Sequence, residues 1–361
     1  MWMRGRIGCT VVRFLRVLLL LTSCVYWGAA SAALGLPERV AAQLASSGLP
    51  SSALSFAVIR PGDGALMLAM TPERPMQPAS TMKLLTSAVA LDMLGRAYRG
   101  RTEIRTSGSV RNGVLLGDLV LRGLGDTDLD VDAFRGLLRT LRNQGIQDIR
   151  GDLLLDRSWI TPSRPYLDVA PFDETPEFRY NVIPDAISLN TNLLQLEIVA
   201  NADQLTVRMS PALDGISVTS TLKLGDRPCP DWEDDWLTPA VTAAANGTYR
   251  IELRGEFPRN CVATTQVNVL DRTVFADRLF RSLWRELGGT LTGMSREASA
   301  SVDTRLLAEH RSRPLSETLR DINKRSDNPI TRLTFLAVAH ALSQGGDVAT
   351  NTAATGSETT T

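Results

Sequence analysis

The sequence predicts an α/β (α+β) protein, an α/β/α sandwich that carries a large, mainly β inserted region. Helical periodicity marks residues 78–94 near one end of the chain and residues 315–342 near the other. Short strands and turns dominate residues 152–259 between them. The 361 residues exceed one ordinary domain and hold enough apolar side chains for a sizeable core. Together these observations predict a helix-containing domain that is split by an insertion.

The first residues form a targeting signal. Arginines occur at four positions within residues 4–16, residues 17–26 are apolar, and small residues follow at 30–32. Residues 1–32 are therefore predicted to be a signal peptide for export to the periplasm. A lipoprotein box at residues 21–24 is the alternative, and ordinary secretion is favoured because few apolar residues precede it. The apolar stretch is too short to span a membrane, so any membrane contact would be peripheral.

Residues 33–95 are predicted to form one wall of the sandwich. Residues 37–47 have the pattern of a short amphipathic helix. Residues 54–59 and 65–70 predict two strands joined by a Pro-Gly-Asp-Gly turn. The apolar run that follows predicts a buried helix, which ends at Gly95. This order would place the helix against a small sheet.

Residues 96–290 are predicted to be the inserted region. It opens with two strands and a helix, at residues 102–106, 115–121 and 133–143. Asn112-Gly113 between the strands is a favoured hairpin turn, and Asp132 can cap the helix. A further helix is predicted over residues 272–287, before Gly288-Gly289.

Residues 291–345 are predicted to return to the sandwich. Helices over residues 315–324 and 329–342 flank Ser-Asp-Asn, with Pro329 as the first residue of the second helix. Residues 346–361 are small and polar without periodicity, and we expect a disordered tail.

Composition excludes several classes of function. Acidic and basic residues balance at 39 each, which argues against nucleic-acid binding. Alternating aspartates at 126–132 resemble a calcium loop, but Val131 and Leu137 stand where an EF-hand needs glycine and glutamate. No phosphate loop or metal-ligand spacing is present, so no cofactor and no metal are predicted. His310 and His340 belong to no Ser-His-Asp motif.

Two cysteines remain after the signal peptide is removed, Cys229 and Cys261. In an exported protein such a pair can form a disulfide. Closing a loop of about 33 residues would stabilise the fold by on the order of 3 kcal/mol. The alternative is two unpaired, buried cysteines.

Ser80 and Lys83 stand three residues apart at the opening of the apolar helix, in the sequence PASTMK. At that spacing the hydroxyl and the amine lie on one helical face. A lysine whose charge is disfavoured by burial can take the serine proton, which makes the serine a nucleophile. The chain has only three lysines among 39 basic residues, so lysine abundance does not explain this one. The alternative is an N-cap serine with a solvated lysine.

Ser326 and Asn328 form a second element, Ser-Asp-Asn, before a predicted helix start. This element accompanies S-x-x-K in serine acyl-transfer enzymes. A loop there can hold a hydroxyl near the leaving group and an amide near the substrate carbonyl. We expect these side chains to share a desolvated cleft with Ser80 and Lys83.

With these motifs the chain resembles the class C low-molecular-mass penicillin-binding proteins, the D-alanyl-D-alanine carboxypeptidases/endopeptidases of the DacB type (peptidase family S13). About 246 residues separate the two serines, far more than in a class A β-lactamase. The interior segments LRGLGDTDL, IRGDLLLD and YNVIPDAISLNTN also resemble the family's inserted region. The similarity runs over residues 37–342. It implies a penicillin-binding/β-lactamase-like fold whose transpeptidase-like domain comprises residues 33–95 and 291–345.

The resemblance implies a serine-type peptidase that acts on peptidoglycan stem peptides through an acyl-enzyme. Ser80 would be the nucleophile, with its backbone N–H as first oxyanion donor, and Lys83 the base. Ser326 would relay a proton to the leaving amine, and Asn328 would position Lys83 and the substrate amide. Asp156 is a candidate for contacting the amino end of the peptide side chain, with a plain surface aspartate as the alternative.

The resemblance also implies that β-lactams are covalent inhibitors and that no cofactor is needed. Whether carboxypeptidase or endopeptidase action dominates, and whether the protein forms homo-oligomers, is left open. A non-catalytic peptidoglycan-peptide-binding protein is the main alternative function. A secreted serine β-lactamase or esterase is disfavoured by the long insertion.

The chain departs from the family because it has no K-T-G motif after Ser-Asp-Asn. No lysine follows Lys324, no arginine follows Arg332 and no histidine follows His340. Loss of the oxyanion donor on that strand would cost about 2.7 to 4 kcal/mol. We therefore expect a truncated family member, with a sandwich that is incomplete at its C-terminus and activity that is weakened or absent.

Overall fold

The computed structural model describes residues 36–164, 169–171 and 174–345. The predicted signal peptide (1–32) and the predicted disordered tail (346–361) lie outside the described residues. The chain divides into two compact units, the first ending at Ala79 and the second beginning at Ser80. Within the described part of the chain, no helix combines the length and apolar character needed to cross a bilayer.

The described residues contain helices and strands in mixed order, which confirms the predicted α/β class. The helices are α1 (Glu38–Ser46), α2 (Met82–Leu94), α3 (Val131–Asn143), α4 (Arg272–Glu286), α5 (Leu315–Arg325) and α6 (Asn328–Ser343). The strands are β1 (Phe56–Ile59), β2 (Leu66–Met70), β3 (Arg101–Thr106), β4 (Ser109–Arg111), β5 (Val114–Leu116), β6 (Leu119–Leu124), β7 (Asp148–Arg150), β8 (Leu153–Asp156), β9 (Leu194–Ala200), β10 (Leu205–Ser210), β11 (Ile216–Ser220), β12 (Lys223–Gly225), β13 (Trp236–Ala243), β14 (Tyr249–Pro258), β15 (Val262–Val267), β16 (Thr290–Leu291), β17 (Ser295–Glu297) and β18 (Arg305–Arg311).

The first unit contains α1 and an antiparallel hairpin of β1 and β2. The hairpin pairs Phe56 with Met70 at its open end. Its turn includes Gly64, whose φ of 71° is a conformation that glycine adopts without steric cost. The amphipathic spacing of α1 and the Pro-Gly-Asp-Gly turn were sufficient to predict these three elements.

In the second unit, helices α2, α5 and α6 share a small apolar core of their own. Its buried members are Ala90, Leu94, Leu315, Leu319, Ile322, Ile330, Ala337 and Val338. Asn323 of α5 adds a polar contact, because its Nδ2 donates to Ser87 Oγ on α2 at 2.9 Å. This core fixes α2 beside the point where α5 and α6 meet.

Helix α2 is only half buried, so the prediction of a buried helix was wrong for its outer face. Its buried residues follow one stripe, Lys83, Ser87, Ala90 and Leu94. Leucines on the opposite side are exposed, Leu84 by 62%. Apolar side chains on every face of a helix predict that the whole helix is buried. The pattern does not specify how many of those faces pack against other elements.

Apart from α2, α5 and α6, most of the described part of the second unit is formed by four sheets. Their strand orders are β17-β8-β6-β3-β18, β16-β7-β5-β4, β10-β9-β15 and β11-β14-β12, with β13 also paired to β14. Helices α3 and α4 pack on them through a larger core that includes Phe134, Phe275, Phe280 and Trp284. Strands β17 and β18, which lie beyond residue 290, pair with the earlier strands β8 and β3.

Some local predictions were wrong in detail. Asp130, not Asp132, caps α3, because its carboxylate accepts the N–H of Ala133 at 2.8 Å. Pro329 is the second residue of α6, since the helix begins at Asn328 after the N-cap Asp327. The Asn112-Gly113 turn is confirmed and joins β4 to β5. The strand predicted over 115–121 is instead two strands, broken at a glycine in a left-handed conformation.

Cys229 and Cys261 are joined as a disulfide, with sulfur atoms 2.01 Å apart and Cα atoms 5.4 Å apart. The bond links the short turn before Trp232 to the residue that precedes β15. Trp232 in turn packs edge-on against Trp236 at 5.4 Å between ring centroids. These two tryptophans are therefore packed against each other beside the disulfide.

We predict that replacing both cysteines by serine lowers the free energy of unfolding by about 3 kcal/mol, because the loop is no longer closed in the unfolded chain. Urea unfolding followed by tryptophan fluorescence would measure this effect. Reducing the unmodified protein should produce the same shift. Equal unfolding midpoints with and without reductant would contradict a stabilising disulfide.

Candidate active site

Ser80 and Lys83 lie at the start of α2, where a 3-10 turn over Ala79–Thr81 leads into the helix. Ala79, just before the serine, has a φ of 44°, which is uncommon for a residue with a Cβ. The three-residue spacing brings both side chains to one face, and Lys83 Nζ lies 3.0 Å from Ser80 Oγ. When the amine is neutral, the same contact allows the hydroxyl to donate to it.

Lys83 is a buried lysine, with only 8% of its surface exposed. Burial lowers the pKa of its amine, because the charged form loses hydration. The carboxylate of Asp327 acts in the opposite direction and raises this pKa, while the guanidinium of Arg332 lowers it. The net direction is downward from the ordinary value of 10.5, which favours the neutral amine that a base requires.

Ser326 forms the joint between α5 and α6. It is the C-cap of α5 and takes a left-handed conformation, with φ 56° and ψ 41°. The next residue, Asp327, donates its N–H to Ile322 O at 3.2 Å and is already the N-cap of α6. A single residue therefore separates the two helices, and its side chain stands at the end of one and just before the N-cap of the next.

The turn at Ser326 lies next to the start of α2. Ser326 Oγ donates to Ser80 Oγ at 2.7 Å, although the two residues are 246 positions apart in the chain. The structure thus brings three of the four predicted catalytic side chains into one hydrogen-bonded chain, Lys83–Ser80–Ser326. Ser80 and Ser326 are exposed, and only Lys83 is buried. The cleft expected from the sequence is therefore shielded from water only around the lysine.

Asn328 lies at the first position of α6, one residue beyond Asp327. Its Nδ2 donates to the backbone carbonyl of Tyr180 at 3.3 Å. Among the described residues no hydrogen bond joins it to Lys83, which differs from the positioning role expected from the sequence. The amide is instead tied to a neighbouring turn.

Asp327 holds this loop through both carboxylate oxygens. Oδ1 accepts the N–H of Ile330 at 3.0 Å, and Oδ2 pairs with Arg179 Nη2 at 2.5 Å. Arg179 comes from the 3-10 turn Arg179–Asn181, far away in the sequence. Sequence reasoning missed Arg179 and Tyr180, because no local pattern marks a turn that contacts a loop 148 residues later.

Asp156 is not on the surface, and its hydrogen bonds within the described residues do not reach Ser80, Lys83 or Ser326. It is the last residue of β8 and is 1% exposed. Its carboxylate accepts hydrogen bonds from Ser158 and from the N–H of Ala300, and it pairs with Arg122 at 3.3 Å. The surface alternative was therefore wrong, and the contacts favour a structural role over contact with substrate.

The two histidines have other partners. His310 Nδ1 lies 2.7 Å from Asp126 Oδ2, and His340 packs against Trp159 with ring centroids 5.1 Å apart. Among the described residues, no hydrogen bond joins either imidazole ring to a serine hydroxyl. The lysine is therefore the base that this cluster offers.

The fold and the Ser-Lys-Ser cluster define the chain as a protein of the penicillin-binding class. The sequence profile of the D-Ala-D-Ala carboxypeptidase 3 (S13) family matches residues 36–359, and the chain belongs to this family. The resemblance inferred from the motifs is thereby confirmed.

Relatives in the same family are similar over most of this chain. D-alanyl-D-alanine carboxypeptidase DacB of Haemophilus influenzae is 29% identical over 272 residues, which are 73% of this chain and 54% of that protein. The D-alanyl-D-alanine carboxypeptidase of Actinomadura sp. (strain R39) is 26% identical over 310 residues, 81% of this chain and 55% of that protein. The chain spans about half the length of these relatives.

Solved structures agree on the fold. The crystal structure of penicillin binding protein 4 (dacB) from Haemophilus influenzae superposes with a TM-score of 0.68 at 25% identity, over 84% of this chain and 66% of that one. A second crystal structure of that protein, complexed with a β-lactam, has a TM-score of 0.54 at 24% identity, over 75% of this chain and 61% of that one. The second likeness supports the fold alone.

We predict that the Lys83 amine titrates below the ordinary lysine value of 10.5, because burial disfavours its charged form. A pH titration of ¹⁵N-lysine-labelled protein by NMR would measure this directly. The sequence has only two other lysines, Lys223 and Lys324, so the signal is assigned by its loss in Lys83→Met. A Lys83 midpoint at or above the ordinary value would contradict the role of a base.

Proposed function

We propose that this protein is a serine-type D-Ala-D-Ala carboxypeptidase/endopeptidase that acts on peptidoglycan stem peptides through an acyl-enzyme at Ser80. One observation carries the proposal: Ser80 Oγ lies within hydrogen-bond distance of both Lys83 Nζ, at 3.0 Å, and Ser326 Oγ, at 2.7 Å. Membership of the S13 family and the names of the relatives agree with this chemistry.

The acylation step uses the three side chains in order. Neutral Lys83 takes the proton of Ser80 Oγ as the oxygen bonds to the carbonyl carbon of the penultimate D-alanine. The negative charge that develops on the carbonyl oxygen is stabilised by the backbone N–H of Ser80. As the C–N bond breaks, the proton passes from Lys83 through the Ser326 hydroxyl to the leaving amine of the terminal D-alanine.

Deacylation reverses the proton transfers. Lys83, neutral again, takes a proton from a water molecule whose oxygen bonds to the ester carbonyl carbon. The ester C–O bond then breaks, and the proton returns to Ser80 Oγ. Peptide-bond hydrolysis is thus divided into two steps that share one base. Asn328, at the start of α6, is proposed to position the substrate amide. Asp156 has no role in this mechanism, because its carboxylate is buried.

The proposed substrates and location follow from the same family membership. Peptidoglycan lies outside the cytoplasm, in agreement with the signal peptide expected at residues 1–32. β-Lactams are proposed to acylate Ser80, because their strained amide presents the same carbonyl to the nucleophile. A β-lactam complex of penicillin binding protein 4 is consistent with this inference. Any membrane contact would be peripheral.

A fluorescent penicillin tests the proposal. We expect covalent labelling of the protein that disappears in Ser80→Ala. Lys83→Ala should slow labelling by about 10² to 10⁴-fold, the usual contribution of a general base. Ser217→Ala, at an exposed serine of β11, is the matched control and should label normally. Labelling that persists in Ser80→Ala would exclude this serine as the nucleophile.

A second candidate is a peptidoglycan-peptide-binding protein without turnover. Binding of muropeptides without labelling by penicillin would support this candidate. Rapid hydrolysis of the penicillin would instead indicate a β-lactamase.

A further inference from the structure

The loop that carries Ser326 and Asn328 is held by the inserted region, through two neighbouring residues of one turn. Arg179 Nη2 lies 2.5 Å from Asp327 Oδ2, and the carbonyl of Tyr180 accepts from Asn328 Nδ2 at 3.3 Å. We propose that Arg179 is a positioning residue, which orients Asp327 and balances its negative charge beside the Lys83–Ser80–Ser326 chain. This inference rests on the function proposed for those three side chains.

The geometry of the ion pair supports a fixed arrangement. The Asp327 side chain is only 11% exposed, whereas Arg179 is 42% exposed. One oxygen of Asp327 caps α6, which leaves the other for the guanidinium. Arg179 Nη1 also donates to Gln266 Oε1 of β15 at 3.0 Å. The guanidinium therefore connects a strand of the inserted region to the loop and is held from both sides.

The charge of Asp327 matters because of what surrounds Lys83. The charged groups that act on this amine are Asp327, at the start of α6, and Arg332, four residues beyond Asn328 on the same helix. Helix α5, on the other packed side, contributes the neutral Asn323 next to Ser87. Of these charged groups, Asp327 is the one whose charge favours protonation of Lys83.

The positive charge of Arg179 offsets the negative charge of Asp327 in their ion pair. Arg325 lines the same open cavity of about 540 Å³ as both, but no hydrogen bond among the described residues links it to Asp327. Loss of the Arg179 charge would leave the partly buried carboxylate without its cation. Its field at Lys83 would then increase, and the amine would hold its proton to higher pH.

The test measures the Lys83 titration by NMR in the full chain. Arg179→Gln keeps a hydrogen-bond donor and removes the charge, and it should move the Lys83 midpoint to higher pH. Arg179→Lys keeps the charge and should restore the midpoint toward that of the unmodified protein. Arg208→Gln is the matched control, because it breaks a surface pair with Glu197 on β9, and it should leave the midpoint unchanged.

Asp327→Asn shows whether Arg179 acts through this carboxylate. Asparagine still caps the helix, so the loop should be preserved. The Lys83 midpoint should fall in Asp327→Asn, and adding Arg179→Gln to that variant should produce no further change. Should Arg179→Gln fail to fold, an unchanged midpoint in Asp327→Asn would by itself overturn the proposal.

Penicillin labelling separates this inference from the proposed function. In Arg179→Gln the acidic limb of the acylation rate should move to higher pH together with the Lys83 midpoint, and the rate at alkaline pH should recover. A folded Arg179→Gln protein with an unchanged Lys83 midpoint would overturn the inference, whether or not it labels. Absence of labelling in the unmodified protein would contradict the proposed function, while the titration would still decide the role of Arg179.

Discussion

The structure of the site depends on the apolar contact of α2 with α5 and α6. One stripe of α2, from Lys83 to Leu94, packs on the two helices whose junction is Ser326. That packing brings two hydroxyls from distant parts of the chain to 2.7 Å. The same packing buries Lys83, and burial lowers the pKa of its amine. The contacts among Ser80, Lys83 and Ser326 are therefore all consequences of one small core.

Unusual backbone conformations occur at both hydroxyl-bearing turns. Ser326 has a φ of 56°, and Ala79, next to Ser80, has a φ of 44°. A left-handed conformation costs a residue with a Cβ about 1 to 2 kcal/mol. At Ser326 the caps on either side offset this cost, since an N-cap such as Asp327 contributes about 1 kcal/mol. Such conformations persist where the surrounding structure fixes them, and they cluster at functional sites.

The sequence was most informative where the chemistry is local. Ser80 and Lys83 are one helical turn apart, so their contact follows from spacing alone. The proximity of Ser326 could be inferred only from the resemblance, because no pattern in the intervening residues specifies it. The half-buried state of α2, the pairing of β17 and β18 with earlier strands, and the enclosure of Asp156 all depend on partners elsewhere in the fold. Arg179 and Tyr180 could not be predicted for the same reason.

A crystal structure of this chain after reaction with a penicillin would test the account most directly. We predict electron density continuous from Ser80 Oγ into the opened β-lactam, with Lys83 Nζ and Ser326 Oγ still within hydrogen-bond distance of the ester oxygen. Density on another side chain would contradict the account. So would an acylated Ser80 that lies far from Ser326.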